Sequence, residues 1–171
     1  MNGIKEYIKS VNIKDIPWNR MATAYGTAKK YPEYLAVLDS MQNIKKMQKA
    51  FDRISDFEHQ STMFPPAPFV LVFLVRILEK AKNTDTPEAE WLVSEMSKSF
   101  DYYLEVFEEA DSMEHAEPLP NFSDMLDEEY LLEGLTEDDL EEYDENFMSD
   151  ENYFYSLYYY SKKVISGTEK D

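Results

Sequence analysis

The sequence predicts an all-α fold in a single domain, residues 1–171, and three observations carry that expectation. Glycine is scarce, 4 residues against 13 Tyr and 10 Phe, whereas sheet proteins consume glycines in their turns. Apolar residues recur at three- and four-residue steps in most segments, the period of a helix with one buried face. Proline marks corners between these runs, where it opens a helix without breaking one. Hydrophobic residues make up 43% of the chain, enough for a core at this length, and essentially no sheet is expected.

Ile4 to Ser10 reads as a short first helix. Asp15 and Pro17 then open a second, with Trp18, Met21, Ala22 and Tyr25 on one side and Gly26 as its stop. Pro32 starts a third carrying Leu35 and Leu38, and the two pair as a helical hairpin. From Asn43 to about Phe57 the pattern is clearest: Ile44, Met47, Phe51, Ile54 and Phe57 turn inward and Lys45, Lys46, Lys49 and Asp52 outward. Pro65, Pro66 and Pro68 then impose a loop.

Phe69 to Ile77 is apolar almost all round. A buried strand is possible there, but the preceding Pro68 and the following Arg76-Ile77-Leu78-Glu79-Lys80 favour a central helix. Thr86-Pro87 is a capped helix start, leading inward through Trp91, Leu92, Met96, Phe100, Tyr103, Leu104 and Phe107. Glu117-Pro118-Leu119-Pro120 closes that helix and is a candidate hinge. Ser123 caps a short helix through Met125, Leu126, Tyr130 and Leu131 to Gly134, and Thr136 with Asp139 resembles a capping box. Ser149 opens the last helix, with Tyr153, Phe154, Leu157, Tyr158 and Val164 inward. No repeat is exact, yet the first half reads as successive thin hairpins that must stack to bury their faces.

Charge is divided along the chain. Residues 1–86 hold 13 Lys/Arg and 9 Asp/Glu, a balance of +4, and residues 87–171 hold 4 and 26, a balance of −22. Between Ser99 and Ser161 there are 21 acidic residues and no Lys or Arg. Such a field disfavours direct nucleic-acid binding and an anionic membrane, and favours a basic protein partner. No cysteine is present, which removes disulfides, thiolate metal sites and Cys nucleophiles. The start Met1-Asn2-Gly3-Ile4-Lys5-Glu6 lacks the apolar region of a signal peptide, and Ala67 to Leu78 is too short to span a bilayer. A soluble cytoplasmic protein is the expectation.

Catalytic readings find little support. His59-Gln60 has no second His nearby for a metal and no Ser–His–Asp arrangement; both side chains are expected to satisfy buried backbone groups in the proline-rich corner. His115 is expected at the surface. With 35 acidic residues, carboxylate pairs carry no information about glycoside hydrolysis. Asp144-Glu145-Asn146 lacks the central Gly of an EF-hand and is interrupted by Phe147-Met148. No cofactor or metal is expected, and no enzymatic activity.

One resemblance is specific. Trp18, Ala24-Tyr25-Gly26-Thr27-Ala28, Pro32 with Leu35 and Leu38, His59-Gln60-Ser61-Thr62 and Pro68-Phe69 are similar, in order and spacing over residues 13–80, to a family of bacterial HEAT-like helical-repeat proteins. Ser61 stands where that family has glycine, Val70-Leu71 departs from its usual run into Leu, and nothing after about residue 85 matches. The resemblance implies stacked helical hairpins over residues 13–84, with Trp18, Tyr25, Gly26, His59 and Gln60 as structural positions; the acidic helical part at 85–171 rests on its charge and spacing alone. The resemblance further implies a protein without defined enzymatic activity, some members resembling toxin-immunity proteins.

The acidic stretch from Asp124 to Glu151 is interleaved with Met, Leu, Tyr and Phe, so folding it crowds like charges. A solvated face is one reading of it and a partner surface the other. Helical spacing places Asp127, Glu128, Glu137, Asp138, Glu141, Glu142 and Glu145 outward, and Tyr155 and Tyr159 opposite the apolar face of the last helix as interface anchors. The function expected is an immunity-type inhibitor whose acidic half covers a basic site on a cognate toxin domain, such as a nuclease. A helical-repeat adaptor or assembly protein, and a nucleic-acid mimic occupying a basic DNA- or RNA-binding protein, are the alternatives.

Overall fold

Helix dominates the computed structural model, which describes residues 2–133 and 147–167. The helices are α1 (Asn2–Ser10), α2 (Tyr31–Ser40), α3 (Ile44–Ile54), α4 (Ala67–Lys82), α5 (Pro87–Ser112) and α6 (Glu151–Ile165), with short 3-10 turns between several of them. The expected all-α class stands; Thr136, where a further helix is expected to start, lies outside the described residues.

The apolar run that admitted a strand is helical, because α4 is the centre of the molecule. Every residue from Ala67 to Leu74 is buried, followed by Ile77, Leu78 and Ala81. It packs against α2, α5 and α6, so a helix apolar all round has partners all round. Helix α6, in the acidic half, thereby shares one core with the first half. Thr86 caps α5 by accepting a hydrogen bond from Ala89 N (3.2 Å), and Asp150 caps α6 by accepting from Tyr153 N (3.1 Å). The cap of α6 is thus one residue beyond the expected Ser149.

Two segments expected as helix and loop are β-hairpins. Residues Ala22–Thr23 (β1) pair antiparallel with Gly26–Thr27 (β2), with Ala22 opposite Thr27. Residues Glu58–His59 (β3) pair with Thr62–Met63 (β4), with Glu58 opposite Met63. The expected helix through Trp18 to Tyr25 is only a 3-10 turn at Trp18–Arg20. Its three- and four-residue spacing misled because Trp18, Met21 and Ala22 are buried by the turn and strand while Tyr25, at the hairpin tip, is 78% exposed.

These hairpins belong to a repeated unit that residue identity conceals. With an offset of thirty-six residues, Ala28 N donates to Met21 O (3.0 Å) as Phe64 N donates to Phe57 O (2.8 Å). Tyr31 N to Ala28 O (3.0 Å) matches Ala67 N to Phe64 O (2.9 Å), and Glu33 N to Lys30 O matches Phe69 N to Pro66 O, both 3.0 Å. Pro32 and Pro68 stand equivalent at the helix starts, and Leu35 and Leu38 are buried where Leu71 and Leu74 are. Each unit is a hairpin leading into a helix.

Asp56 ties the units together. Its backbone O accepts from Ala24 N (2.9 Å), while its carboxylate accepts from Thr23 Oγ1 (2.8 Å) and Tyr31 OH (2.5 Å). Partial burial raises the Asp56 pKa, opposed by these hydrogen bonds. At the equivalent position of the first unit, Arg20 O accepts from Leu132 N (3.0 Å) and Arg20 Nε donates to Leu132 O (2.7 Å). The acidic half is thus fastened to the outer side of the first unit.

Candidate protein-binding groove

Helix α5 runs on past its last buried residue, Phe107, and the chain then turns back along α6. Ser156 Oγ accepts from Leu119 N (2.8 Å) and donates to Asn152 O (2.6 Å), and Tyr160 OH donates to Leu119 O. The expected hinge at 117–120 is therefore pinned at its centre: both backbone polar groups of Leu119 are bonded to α6. Upstream, the His115 ring lies flat on Tyr155 at 3.9 Å and 4°.

Between these segments lies a groove of about 580 Å³. Val106, Ala110, Phe154 and Tyr158 supply its apolar walls, and Ser61 reaches it from the second hairpin. There Tyr158 OH accepts from Met63 N (3.2 Å) and donates to Ser61 O (2.8 Å), fixing hairpin to helix. At the margin stand Met113 and Met148, 63% and 47% exposed, with Glu109, Glu114 and Glu151. Among the described residues no Lys or Arg lines it. Flexible thioethers fill irregular contacts well, and carboxylates beside them receive cationic side chains.

One wall is held by an ion pair. Asp111 accepts from Lys162 Nζ (2.7 Å) and from Tyr155 OH (2.8 Å). Desolvation alone would raise the Asp111 pKa, but these hydrogen bonds and the Lys162 charge bring it below the ordinary carboxylate value. Burial and the neighbouring carboxylate push the Tyr155 phenol up.

The residues singled out from sequence are placed as follows. Asp127 is exposed. Glu128 is also exposed, but it grips Arg20 with both oxygens (2.8 and 2.6 Å), so it serves an internal clasp. The hydrogen bond to Arg20 lowers its pKa. Glu137, Asp138, Glu141, Glu142 and Glu145 lie outside the described residues, as does the whole Asp144-Glu145-Asn146 triplet. Tyr155 is buried rather than turned outward, its ring covered by His115, and Tyr159 is half-buried with Lys163 Nζ 5.6 Å from its ring centre.

His59 and Gln60 are corrected as well. They serve no buried backbone group: Gln60 is exposed, and His59 Nδ1 lies 3.2 Å from Tyr25 OH at the surface, joining the tips of the two hairpins. Trp18 is buried, and its Nε1 donates to Ile13 O (2.9 Å). Gly26 has open space where a Cβ would stand. His115 is exposed, as expected.

Sequence reasoning missed Met113 and Met148. Their signal was an apolar side chain beyond the helical period, beside Glu114 and Ser149. Among the described residues no cluster of His, Cys, Asp and Glu is arranged for a metal ion, and no helix is long and apolar enough to cross a membrane. Comparison with protein-family models, curated proteins and solved structures yields no match.

Proposed function

We propose that the chain is a non-enzymatic, protein-binding inhibitor that neutralises a basic partner, a cognate bacterial toxin domain of nuclease type, through the acidic surface of its second half. The observation that carries this reading is the uncompensated charge of residues 87–171, 26 acidic against 4 basic. Two of those four cations are engaged by acids of the same half: Lys162 is paired with Asp111 and Lys98 with Glu95. A nuclease must hold phosphates and so carries a positive site; an acidic surface meets such a site with fast, salt-sensitive association. The paired hairpin–helix units support reading residues 13–84 as a stacked, HEAT-like scaffold that holds this surface rigid.

The test is protection. A toxin-like product of a neighbouring reading frame, if one is found, is expressed in a host cell with and without this chain, and survival is scored. Rescue by the chain, lost when Asp127, Glu137, Asp138 and Glu141 are changed to Lys, supports the reading. Equal rescue by the reversed chain, or none by either, rejects it. Binding in vitro should weaken as salt rises, because screening confines the field to about 8 Å at physiological ionic strength.

A further inference from the structure

From the groove between the end of α5 and the start of α6, we propose that this chain takes a basic, amphipathic segment of its partner, seating one large apolar side chain between Met113, Met148 and Phe154 while flanking Lys or Arg side chains pair with Glu109, Glu114 and Glu151. The proposal rests on the reading of the acidic half as a partner surface, and adds the place and chemistry of contact.

Three features point to that occupant. The groove has apolar walls, yet its two methionines stand 63% and 47% exposed, a cost in water that an apolar side chain removes on entry. The carboxylates at its margin have no cation among the lining residues, so a neutral apolar peptide would leave them unpaired and a basic one would not. A second copy of this chain fits poorly, since its formal charge of −18 would be brought against the same carboxylates. The walls are also pre-formed: Asp111 with Lys162 and Tyr155 fixes one side, and Tyr158 bonded to the second hairpin fixes the other. Little ordering is therefore needed on binding.

The nine methionines of the chain provide the readout. With methyl-labelled Met, the free chain is titrated with a short synthetic leucine–lysine peptide patterned as an amphipathic helix, and in parallel with an all-lysine peptide of equal charge. The Met113 and Met148 methyl resonances should shift and saturate with the leucine–lysine peptide, while buried Met47 and Met96 stay fixed. The variant carrying Met113→Ser and Met148→Ser, both exposed positions that leave the fold intact, should bind it about tenfold or more weakly. The variant Glu109→Gln, Glu114→Gln, Glu151→Gln should lose most of the salt dependence. Saturable binding that leaves Met113 and Met148 unmoved, or equal affinity for both peptides and for the Met variant, overturns the groove while leaving the acidic-surface reading in place. Absence of any binding at low salt overturns both. Methyl shifts that grow with protein concentration alone, without peptide, would assign the groove to self-association instead.

Discussion

Gln60 and Ser61 form the two-residue loop of the second hairpin with φ of 49° and 68°. Two positive φ angles are what a type I′ turn requires, and Asn-Gly meets that requirement with least strain. Ser61 thus stands, without being glycine, in a left-handed conformation that glycine adopts at no steric cost. Replacing Gln60-Ser61 by Asn-Gly should stabilise the fold by about 1 kcal/mol in chemical denaturation; an unchanged midpoint would mean that the turn carries no strain. Two serines of α6 should respond oppositely to the same change. Ser156 bridges Leu119 N and Asn152 O, so Ser156→Ala leaves a part-buried donor unpaired and should cost about 1 kcal/mol. Ser161 is fully buried, and its Oγ has no partner among the described residues. Ser161→Ala should therefore be neutral or stabilising in the same assay. Neither sign could be read from sequence, since both serines simply interrupt a run of tyrosines.

At the scale of elements, what was legible depended on whether the cause was local. Thr86-Pro87 announced α5 because cap and proline act within one turn, and the period of Met47, Phe51 and Ile54 announced α3. Even there the first apolar position, Ile44, is 37% exposed. The first hairpin was illegible: Ala24 N finds its acceptor at Asp56, thirty-two residues away. The groove depended on a similar long-range tie, Lys162 and Tyr155 of α6 on Asp111 of α5. This tie gives a pH dependence with a defined sign. The folded-state pKa of Asp111 is depressed, so its contribution is present above the unfolded carboxylate value and is lost as pH falls through the folded one. Asp111→Asn should lower the melting temperature at neutral pH, and the gap to the unmodified chain should close on acidification. Asp56, whose pKa is raised, works the other way: its contribution is fullest below the ordinary carboxylate value and declines as pH rises through the folded pKa. A gap for Asp111→Asn that widens on acidification would contradict the assignment.

For the molecule as a whole, the question is how a half-chain with a balance of −22 stays folded against its own repulsion. The answer in the structure is a shared core, because α6 packs on α4 and α5, and a few cations spent on internal ties, Arg20 on Glu128 and Lys162 on Asp111. The sequence disclosed the charge and its asymmetry but not which acids are committed to the fold. Spacing alone grouped Glu128 with Asp127 as outward acids, and the two now have opposite expectations. Changing Asp127, Glu137, Asp138 and Glu141 to Lys moves the formal charge from −18 to −10. The melting temperature of the free chain should hold or rise, and the gain in stability on adding salt should shrink because less repulsion is left to screen. Glu128→Lys reduces the net negative charge too, yet it sets two cations against each other at Arg20 and should lower the melting temperature. If charge alone governed stability, both variants would shift it upward. A fall confined to Glu128→Lys shows instead that the acidic half is held on by its clasp to Arg20.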